Sequence, residues 1–397
     1  KRMTSKPVVS VGRFTSPDTM VRQIRSGVLD FIGAARPSIA DPFLPAKIRE
    51  GRTDDIRECI GCNICYASNF RGAAIRCTQN PTMGEEWRRD WHPERVAAGD
   101  ASSVLIVGAG PAGLEAAHIL GKRGYTVTLA DAAAQAGGRV TLESRLPGLA
   151  EWARVRDYRL GQIKRMPNVS LYLGNALSAS DVHEFAANAV LIATGARWRR
   201  DGIGRWHVSP LLELNSASVL TPDDLMRGAR PEGAVMLFDD DHYYLGPVLA
   251  GMLARSGAQV TYVTTEGKAG QWSEFTGEQE RTQQQLLELG VEIIVNTAVD
   301  GFDGESVSLA CAYSGRTRAH AASTLVLVTS REPCDELYWD LVGPDAESME
   351  LKIQRIGDCR QPALIAHAVY AGHKAARELG QAPEPMPQRD RSVIHRT

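Results

Sequence analysis

The amino-acid sequence predicts an α/β protein built on parallel sheets. Two strand, loop, helix, strand units begin at Ser103 and Ala234 and resemble each other, and a shorter strand, helix, strand unit covers residues 6–36. Because such a unit returns its second strand parallel to the first, each one predicts part of a parallel sheet. The length of 397 residues is enough for two or three domains.

The composition excludes two classes of partner. The chain carries 45 Lys and Arg against 47 Asp and Glu, a formal net charge of −2, which gives no electrostatic case for nucleic acid or an anionic membrane. No apolar run reaches the roughly 18–20 residues of a membrane helix, and the early apolar stretch at residues 8–11 is too short for a signal peptide. We therefore expect a cytoplasmic protein that binds neither nucleic acid nor membrane.

The first unit opens with an apolar, β-branched stretch at residues 7–14. Ser16-Pro17-Asp18 then supplies an N-cap, a first-turn proline and an early acid, so a helix is predicted to run to about Gly27, followed by a strand over 28–33. Two parallel strands cannot cover their own edges, so this unit is expected to belong to a larger sheet. The first residue is Lys1 rather than a methionine, and we expect the sequence to begin within a domain.

The next segment joins this unit to the first long one. Three prolines disfavour a regular element over most of residues 37–45, and a short helix is predicted over 46–49. Residues 85–100 are polar and are predicted to form a linker with a short helix.

Four of the seven cysteines fall in one pattern, Cys59-x2-Cys62-x2-Cys65-x11-Cys77. Three thiolates at every third residue can bind three irons on one side of a cube, and a distant fourth closes the remaining corner. Zinc, which prefers paired CxxC or mixed Cys and His ligands, is the alternative, and cytosolic disulfides are rare. The spacing predicts a 4Fe–4S cluster. The remaining cysteines share no spacing and are predicted to be small buried hydrophobes.

A glycine-rich turn, Gly108-x-Gly110-x-x-Gly113, lies between a predicted strand at 104–107 and a helix to about Gly121. A second strand at 126–130 is followed by Asp131. Such glycines let the backbone approach a pyrophosphate at a helix N-terminus, and the acid can bind a ribose diol. The accessory positions Gly138, Thr194, Gly195 and Asp358 favour an ADP-containing ligand, FAD or ADP itself, over NAD.

The second long unit lacks a phosphate loop. After its strand the sequence continues with Asp239-Asp240-Asp241 and the bulky residues His242, Tyr243 and Tyr244, which would repel and block a pyrophosphate. The unit is therefore predicted not to bind NAD(P)H, with unorthodox NAD(P)H binding as the alternative.

Arg36 follows the second strand of the first unit, and Gly12-Arg13 follows the first strand. The loops after the last two strands of a TIM barrel form a phosphate site, which an arginine fork suits. A surface arginine near a helix is the other interpretation of Arg36.

With these residues in place, the chain resembles the C-terminal part of trimethylamine dehydrogenase and its relatives, the dimethylamine, histamine and N-methyl-amino-acid dehydrogenases related to Old Yellow Enzyme. The resembling stretches are GAARPSIADPFLP, ECIGCNICYASNFRGAAIRCTQNPTMGEEWRRDWHPE, SVLIVGAGPAGLEAA, LPGLAEWARVRDYRLGQI, VLIATGARW and IGDC.

The resemblance implies an α/β fold with the end of a TIM barrel (its last two strand–helix units), an iron–sulfur segment, and two-dinucleotide-binding-fold domains like those of glutathione reductase. The implied divisions are a barrel remnant at 1–50, the cluster segment and linker at 51–98, an ADP/FAD-binding domain at 99–210, an inserted non-binding unit at 211–322, and a return to the ADP/FAD-binding domain at 323–397. The first six barrel units would be missing, so no catalytic base or substrate group can be named.

The resemblance also implies roles for individual residues. Cys59, Cys62, Cys65 and Cys77 would bind the 4Fe–4S cluster, Gly12, Arg13 and Arg36 would hold FMN, and the glycine turn with Asp131, Gly138, Arg139, Thr194, Gly195 and Asp358 would contact ADP or FAD.

The implied activity is the electron relay of an amine dehydrogenase, from a small amine through FMN and the cluster to an electron-transferring flavoprotein or similar acceptor. We expect an oligomer and a companion chain or segment that completes the barrel. An NAD(P)H-dependent enoate or 2,4-dienoyl-CoA reductase and a non-catalytic nucleotide-binding fragment that docks a partner are the alternatives. The CxxCxxC spacing and the acidic loop favour the amine dehydrogenases.

Overall fold

A computed structural model describes residues 3–88, 90–211, 214, 216–343 and 352–381. The first unit consists of strand β1 (Val9–Val11), helix α1 (Pro17–Arg25) and strand β2 (Phe31–Gly33). The two strands pair in parallel, with Val9 opposite Phe31. The predicted strand, helix, strand order is confirmed, although both strands are only three residues long.

Three short helices follow: α2 (Ala35–Ala40), α3 (Leu44–Arg49) and α4 (Ile64–Phe70). The expectation that the prolines prevent a regular element is wrong for α2, because Pro37 lies in the first turn, where no backbone N–H is needed. The short helix predicted within 85–100 is also absent from the described residues there. The segment is fixed instead by single side chains, such as Trp91, which packs against the ring of His373.

The remaining helices and strands run in chain order as follows: β3 (Ser103–Val107), α5 (Pro111–Lys122), β4 (Thr126–Asp131), α6 (Arg139–Glu143), α7 (Ala153–Ile163), β5 (Val169–Leu173), α8 (Ala179–Phe185), β6 (Ala189–Ile192), β7 (Ala196–Trp198), β8 (Val219–Leu220), α9 (Pro222–Met226), β9 (Ala234–Asp239), α10 (Leu245–Arg255), β10 (Gln259–Thr264), α11 (Gln279–Glu288), β11 (Glu292–Ile294), β12 (Thr297–Phe302), β13 (Ser306–Cys311), β14 (Thr317–Ala321), β15 (Thr324–Val328), β16 (Arg331–Pro333), α12 (Glu336–Val342), β17 (Lys352–Arg355) and α13 (Ile365–Glu378).

The first large sheet has five parallel strands in the order β17-β6-β3-β4-β5. Its central strand β3 is apolar and almost fully buried, as expected of a parallel strand covered on both faces. Helix α13 packs closely on α5, because a Cβ atom on Gly372 would lie 2.1 Å from the carbonyl oxygen of Ala112. The prediction of parallel α/β architecture is confirmed here.

The second large sheet is also parallel and has the order β11-β10-β9-β15-β8. Strand β15 pairs with β9 and β8. By strand pairing, residues 324–328 therefore belong to the second sheet, a few residues beyond the expected division at 322. A three-stranded antiparallel sheet, β12-β13-β14, packs beside the second large sheet. The chain passes from the first large sheet to the second through β7 and returns through β16, and these two short strands pair antiparallel.

Ion pairs of a buried lysine join helix α3 to the linker. Lys47, which is 1% exposed, places its ammonium nitrogen 2.7 Å from Asp41 Oδ2 and 2.8 Å from Glu94 Oε1. From the other side, the Arg377 guanidinium donates to the carbonyl oxygen of His92 at 2.6 Å. No helix in the described part of the chain is long and apolar enough to cross a bilayer.

Candidate functional site

The four spaced cysteines lie around a turn that leads into α4. Gly61 and Asn63 both have positive φ angles, +74° and +55°, which bend the backbone between Cys59 and Cys65. A Cβ atom on Gly61 would lie 3.1 Å from the Arg13 side chain, so the turn packs against the first unit. Cys77 reaches the same place from the far side of a loop.

All four thiols are free, and neighbouring thiols contribute to the raised pKa values of Cys62, Cys65 and Cys77. Burial, together with Cys59 and Cys65, raises the pKa of Cys62 to about 11, against a hydrogen bond between its sulfur and the Thr78 hydroxyl at 3.1 Å. Burial and the neighbouring Cys62 raise the pKa of Cys77 to about 12. Among the described residues, no group of three or more His, Cys, Asp or Glu converges closely enough for one metal ion. The four cysteines therefore do not form a site for a single metal ion within the described residues.

The cysteine segment is attached to the first large sheet through Gln79. Its amide donates to the carbonyl oxygens of Glu58 at 3.0 Å and Arg154 at 3.3 Å. Its own carbonyl groups accept from Arg159, which is fully buried and also paired with Glu115 at 2.7 Å. This chain of contacts links the segment to α5 and α7.

The predicted phosphate residues of the first unit face the cysteine segment. The Arg13 guanidinium donates to the carbonyl oxygen of Cys59 at 3.1 Å. The Arg36 guanidinium donates to Asn63 Oδ1 at 2.5 Å, and its charge opposes the rise that burial causes in the pKa of Cys65. Gly12 follows β1, directly before Arg13. Both strand ends of the first unit therefore meet the cysteines.

The glycine turn has the geometry of a phosphate loop. Gly108 has φ +109°, and a Cβ atom there would lie 2.3 Å from the Ala193 carbonyl oxygen. A Cβ atom on Gly113 would lie 1.8 Å from the Gly108 carbonyl oxygen, so this glycine lets α5 approach β3. A cleft of about 740 Å³ opens above the turn, lined by Gly108, Gly110, Asp131, Gly138, Arg139, Thr194, Gly195 and Asp358.

Asp131 ends β4 at the rim of this cleft. Its carboxylate accepts from the backbone N–H of Ala109 at 2.6 Å and of Ala133 at 2.7 Å, which fixes the loop on either side. Thr194 is fixed differently, because its hydroxyl donates to the Cys334 carbonyl oxygen. The structure thus brings the predicted nucleotide residues to one cleft, with Gly113 packed beneath it.

A group of ion pairs closes one end of the cleft. Arg139 lies 2.8 Å from Glu143 and 2.9 Å from Asp358, and it also donates to the Ala363 carbonyl oxygen. Arg331 lies 2.6 Å from the same Asp358 oxygen. Trp198 lines this end too, with the Arg331 guanidinium 5.4 Å from its ring centre. Sequence reasoning missed Arg331 because it belongs to no motif and is adjacent to the site only through the pairing of β16 with β7.

In the second unit, the acidic loop folds back on itself. The Asp239 carboxylate is fully buried and accepts from the backbone N–H groups of Asp241 and His242 and from the Tyr262 hydroxyl. Burial and the charge of Asp241 raise the pKa of Asp239 to about 7. A Cβ atom on Gly246 would lie 2.6 Å from the carboxyl carbon, so Asp239 fills the space at the start of α10. An internal side chain occupies the position where a phosphate would bind.

Three parts of the chain match described protein families. Residues 1–55 match the NADH:flavin oxidoreductase / NADH oxidase family. Residues 102–212 match the pyridine nucleotide-disulphide oxidoreductases, and residues 220–324 match the OYE-like second alpha/beta domain. These matches indicate flavin-type oxidoreductase domains.

Several of the proteins that match over nearly the whole chain are amine dehydrogenases or oxidases. Dimethylamine dehydrogenase of Hyphomicrobium sp. (strain x) is 40% identical over 96% of this chain and 56% of its own length. The structure of 6-hydroxypseudooxynicotine amine oxidase from Pseudomonas geniculata N1 is 50% identical, with a TM-score of 0.93 over 96% of this chain and 57% of that one. Histamine dehydrogenase from Rhizobium sp. 4-9 is 47% identical, with a TM-score of 0.92 over 100% of this chain and 62% of that one. The chain thus spans less than two thirds of the length of each.

Proposed function

The chain belongs to the family of amine dehydrogenases that includes dimethylamine dehydrogenase and histamine dehydrogenase, and from this premise we propose that it forms the electron-relay part of an iron–sulfur flavoprotein that oxidises a small amine. The observation that carries the proposal is a pair of hydrogen bonds. Arg13 and Arg36, which follow β1 and β2, both donate to the four-cysteine segment. A flavin phosphate bound by these arginines would lie beside the cysteines.

The residues around the cysteines suit a 4Fe–4S cluster, which Cys59, Cys62, Cys65 and Cys77 would hold. When bound, such a cluster accepts and donates single electrons. The four thiols are free, and the raised pKa values of Cys62 and Cys77 keep these two protonated without a cluster. Binding to iron would stabilise them as thiolates. Apolar side chains including Ile60, Ile64 and Trp152 line a small cavity of about 20 Å³ against Cys62 and limit the access of water.

In the first unit, Gly12, Arg13 and Arg36 would hold the phosphate of FMN. They follow the carboxyl ends of two parallel strands, where TIM barrels bind phosphate. The exposed apolar side chains of the strands, such as Val11 (68% exposed) and Phe31 (59% exposed), support further barrel strands as their neighbours. These strands would come from a companion chain or segment, and the unit 1–50 would be the end of that barrel.

In the nucleotide cleft we propose ADP rather than FAD. The glycine turn and Asp131 form a site for an adenosine diphosphate. Arg139, Arg331 and Trp198 lie at the end where a flavin would continue, and the ion pairs that the two arginines form with Asp358 would have to break to admit it. The bound nucleotide would then be structural, and electrons would leave the cluster for an electron-transferring flavoprotein or a similar acceptor.

Metal analysis and spectroscopy test the cluster. Purified protein should contain about four irons and four sulfides per chain, and dithionite should give the EPR signal of a reduced 4Fe–4S cluster. The Cys62→Ser variant should lose both, whereas Cys311→Ser, in the β13–β14 hairpin, should keep them. The denatured protein should release ADP and no FAD.

Fewer than about three irons per chain in anaerobically purified protein would contradict the cubane. An equal loss of iron in both variants would contradict the assignment of Cys62.

The two alternatives remain distinguishable. Bleaching of a bound flavin by NADPH but not by amines would favour an enoate or dienoyl-CoA reductase, although the buried Asp239 in the second unit argues against it. Bound nucleotide without iron would favour a non-catalytic fragment that docks a partner.

A further inference from the structure

A second cavity, of about 480 Å³, lies where the cysteine-bearing helix α4 meets the second sheet and the loop before α13. Ile64 and Ala67 of α4 form one wall, and residues that follow β9 and β15 form another. The cavity shares Trp198 and Arg331 with the nucleotide cleft, and it shares Ile64, Tyr243 and Leu364 with the small cavity against Cys62. The proposed function gives it no role.

Two arginines at this cavity lie on aromatic rings. The Arg205 guanidinium is 4.1 Å from the ring centre of Trp272, and the Arg71 guanidinium is 4.1 Å from that of Phe275. No ion pair joins either guanidinium to a carboxylate within the described residues. Both are therefore held in place by stacking and keep their N–H donors for another partner.

The charge of the lining is positive. Arg71, Arg205 and Arg331 face a single carboxylate, Asp241. Arg331 is already paired with Asp358, so the unpaired positive charge belongs to the two stacked arginines. Burial raises the pKa of Asp241, against the charges of Arg331 and Arg205.

A buried hydroxyl also lacks a partner here. Thr329 lines the cavity, is 2% exposed, and its Oγ1 makes no hydrogen bond with any described residue. Because Oγ1 is itself shielded from solvent, it does not face the open space of the cavity, and a ligand there would meet the N–H groups of the arginines instead.

We propose that this cavity binds a small aromatic anion. The aromatic part packs among Trp272, Phe275 and the apolar residues of α4, and the acidic group accepts from Arg205 and Arg71. A carboxylate and a phosphate monoester share this chemistry. The volume suits a ligand of two fused rings with one acidic group.

Calorimetric titration of the purified protein with matched probes tests this proposal. 1-Naphthoate should bind, 1-naphthamide should bind at least about tenfold more weakly because it lacks the charge, and acetate should give no measurable heat. Titration with 1-naphthyl phosphate distinguishes the two acidic groups, since the tighter of the two probes identifies the natural class.

Variants locate the binding. Arg205→Gln and Arg71→Gln should each weaken naphthoate about tenfold or more, because each removes a charged hydrogen-bond donor from the cavity. Arg318→Gln, an exposed change on β14, should bind as the parent does. Saturating ADP should leave the naphthoate affinity unchanged.

Equal binding of naphthoate and naphthamide would overturn the proposal, as would equal affinities of the Arg205→Gln and Arg318→Gln variants. Displacement of naphthoate by ADP would place the probe in the nucleotide cleft and would also overturn it. The absence of heat with every probe would have the same meaning. None of these outcomes bears on the iron content, which tests the proposed function separately.

Discussion

His118 lies within α5, is 4% exposed, and its Nδ1 atom has no hydrogen-bond partner among the described residues. Burial lowers its pKa to about 3, even though Glu115 opposes this shift. Because the folded pKa is below the unfolded value of 6.5, the unfolded chain takes up the proton first. The contribution of neutral His118 to the unfolding free energy is therefore complete above pH 6.5 and is lost as the pH falls toward 3.

We predict that replacing this imidazole removes part of the acid sensitivity. Between pH 7 and pH 5 the titration of His118 should cost the parent about 2 kcal/mol of unfolding free energy. His118→Leu should lack that part of the loss. Urea denaturation at several pH values measures it.

Leu114→Met, on the same helix, changes packing without changing a titratable group and serves as the control. Its curve should run parallel to that of the parent. If the His118→Leu curve were parallel as well, His118 would titrate alike in the folded and unfolded chains.

Among single residues, site positions could be predicted best where the surrounding backbone allows only glycine. Gly108 and Gly113 are recognisable because a side chain at either position would collide with a carbonyl oxygen. Arg331 and Gln79 were not predictable, because their partners, Asp358 and Arg159, are brought to them only by strand pairing and helix packing.

The loop between β9 and α10 follows directly on Asp239 and carries the other two of the three consecutive aspartates of the second unit. Tyr262 of β10 stabilises it, since its hydroxyl donates to Asp239 and accepts from the backbone N–H of Gly270 at 3.0 Å. We predict that Tyr262→Phe lowers the unfolding free energy by about 1–3 kcal/mol, because two buried polar groups lose a partner. Thermal and urea denaturation measure this.

Tyr313→Phe is the matched change, because Tyr313 is 86% exposed. It should alter the unfolding free energy by less than about 0.5 kcal/mol. Equal effects of the two substitutions would mean that the Tyr262 hydroxyl does not hold the loop.

Among the elements, long periodic segments were predicted well and short ones poorly. The strands predicted over 104–107 and 126–130 each lie within one residue of those bounds in the structure. Helix α2 was missed because a proline is harmless in a first turn, and the helix expected within 85–100 gave way to contacts such as the pairing of Arg88 with Glu85 at 3.0 Å. Local propensity decides little where tertiary contacts hold each side chain.

For the whole molecule, the first unit presents an apolar surface formed by Val9, Val11, Val28 and Phe31, all more than half exposed. If this surface receives further barrel strands, the isolated chain should associate through it. We predict that the double variant Val11→Thr, Phe31→Thr weakens self-association at least about tenfold, because each side chain contributes about 1.5–3 kcal/mol when buried. Sedimentation velocity over a range of concentrations measures it.

Val208→Thr is the control, since Val208 is 88% exposed and lies outside the first unit. It should associate as the parent does. Unchanged association of the double variant would show that other surfaces dominate.

The order of segments could be predicted from motif spacing, but their mutual contacts could not. The spacing of the cysteines and the position of Arg36 were visible in the sequence, whereas the hydrogen bond from Arg36 to Asn63 depends on how the first unit packs against the cysteine turn. The closed end of the nucleotide cleft likewise depends on side chains that lie far apart in the chain, on α6, on β16 and after β17.

The hydrogen bonds of Gln79 have a consequence for protein engineering. A cysteine-bearing loop can be moved to another host protein only when it carries with it the contacts that hold its backbone in place. Here the loop borrows its scaffold from Glu115 and Arg159, two buried residues on separate helices of another domain. A graft of residues 51–98 alone would leave that anchor behind, so the smallest portable unit must include α5 and α7.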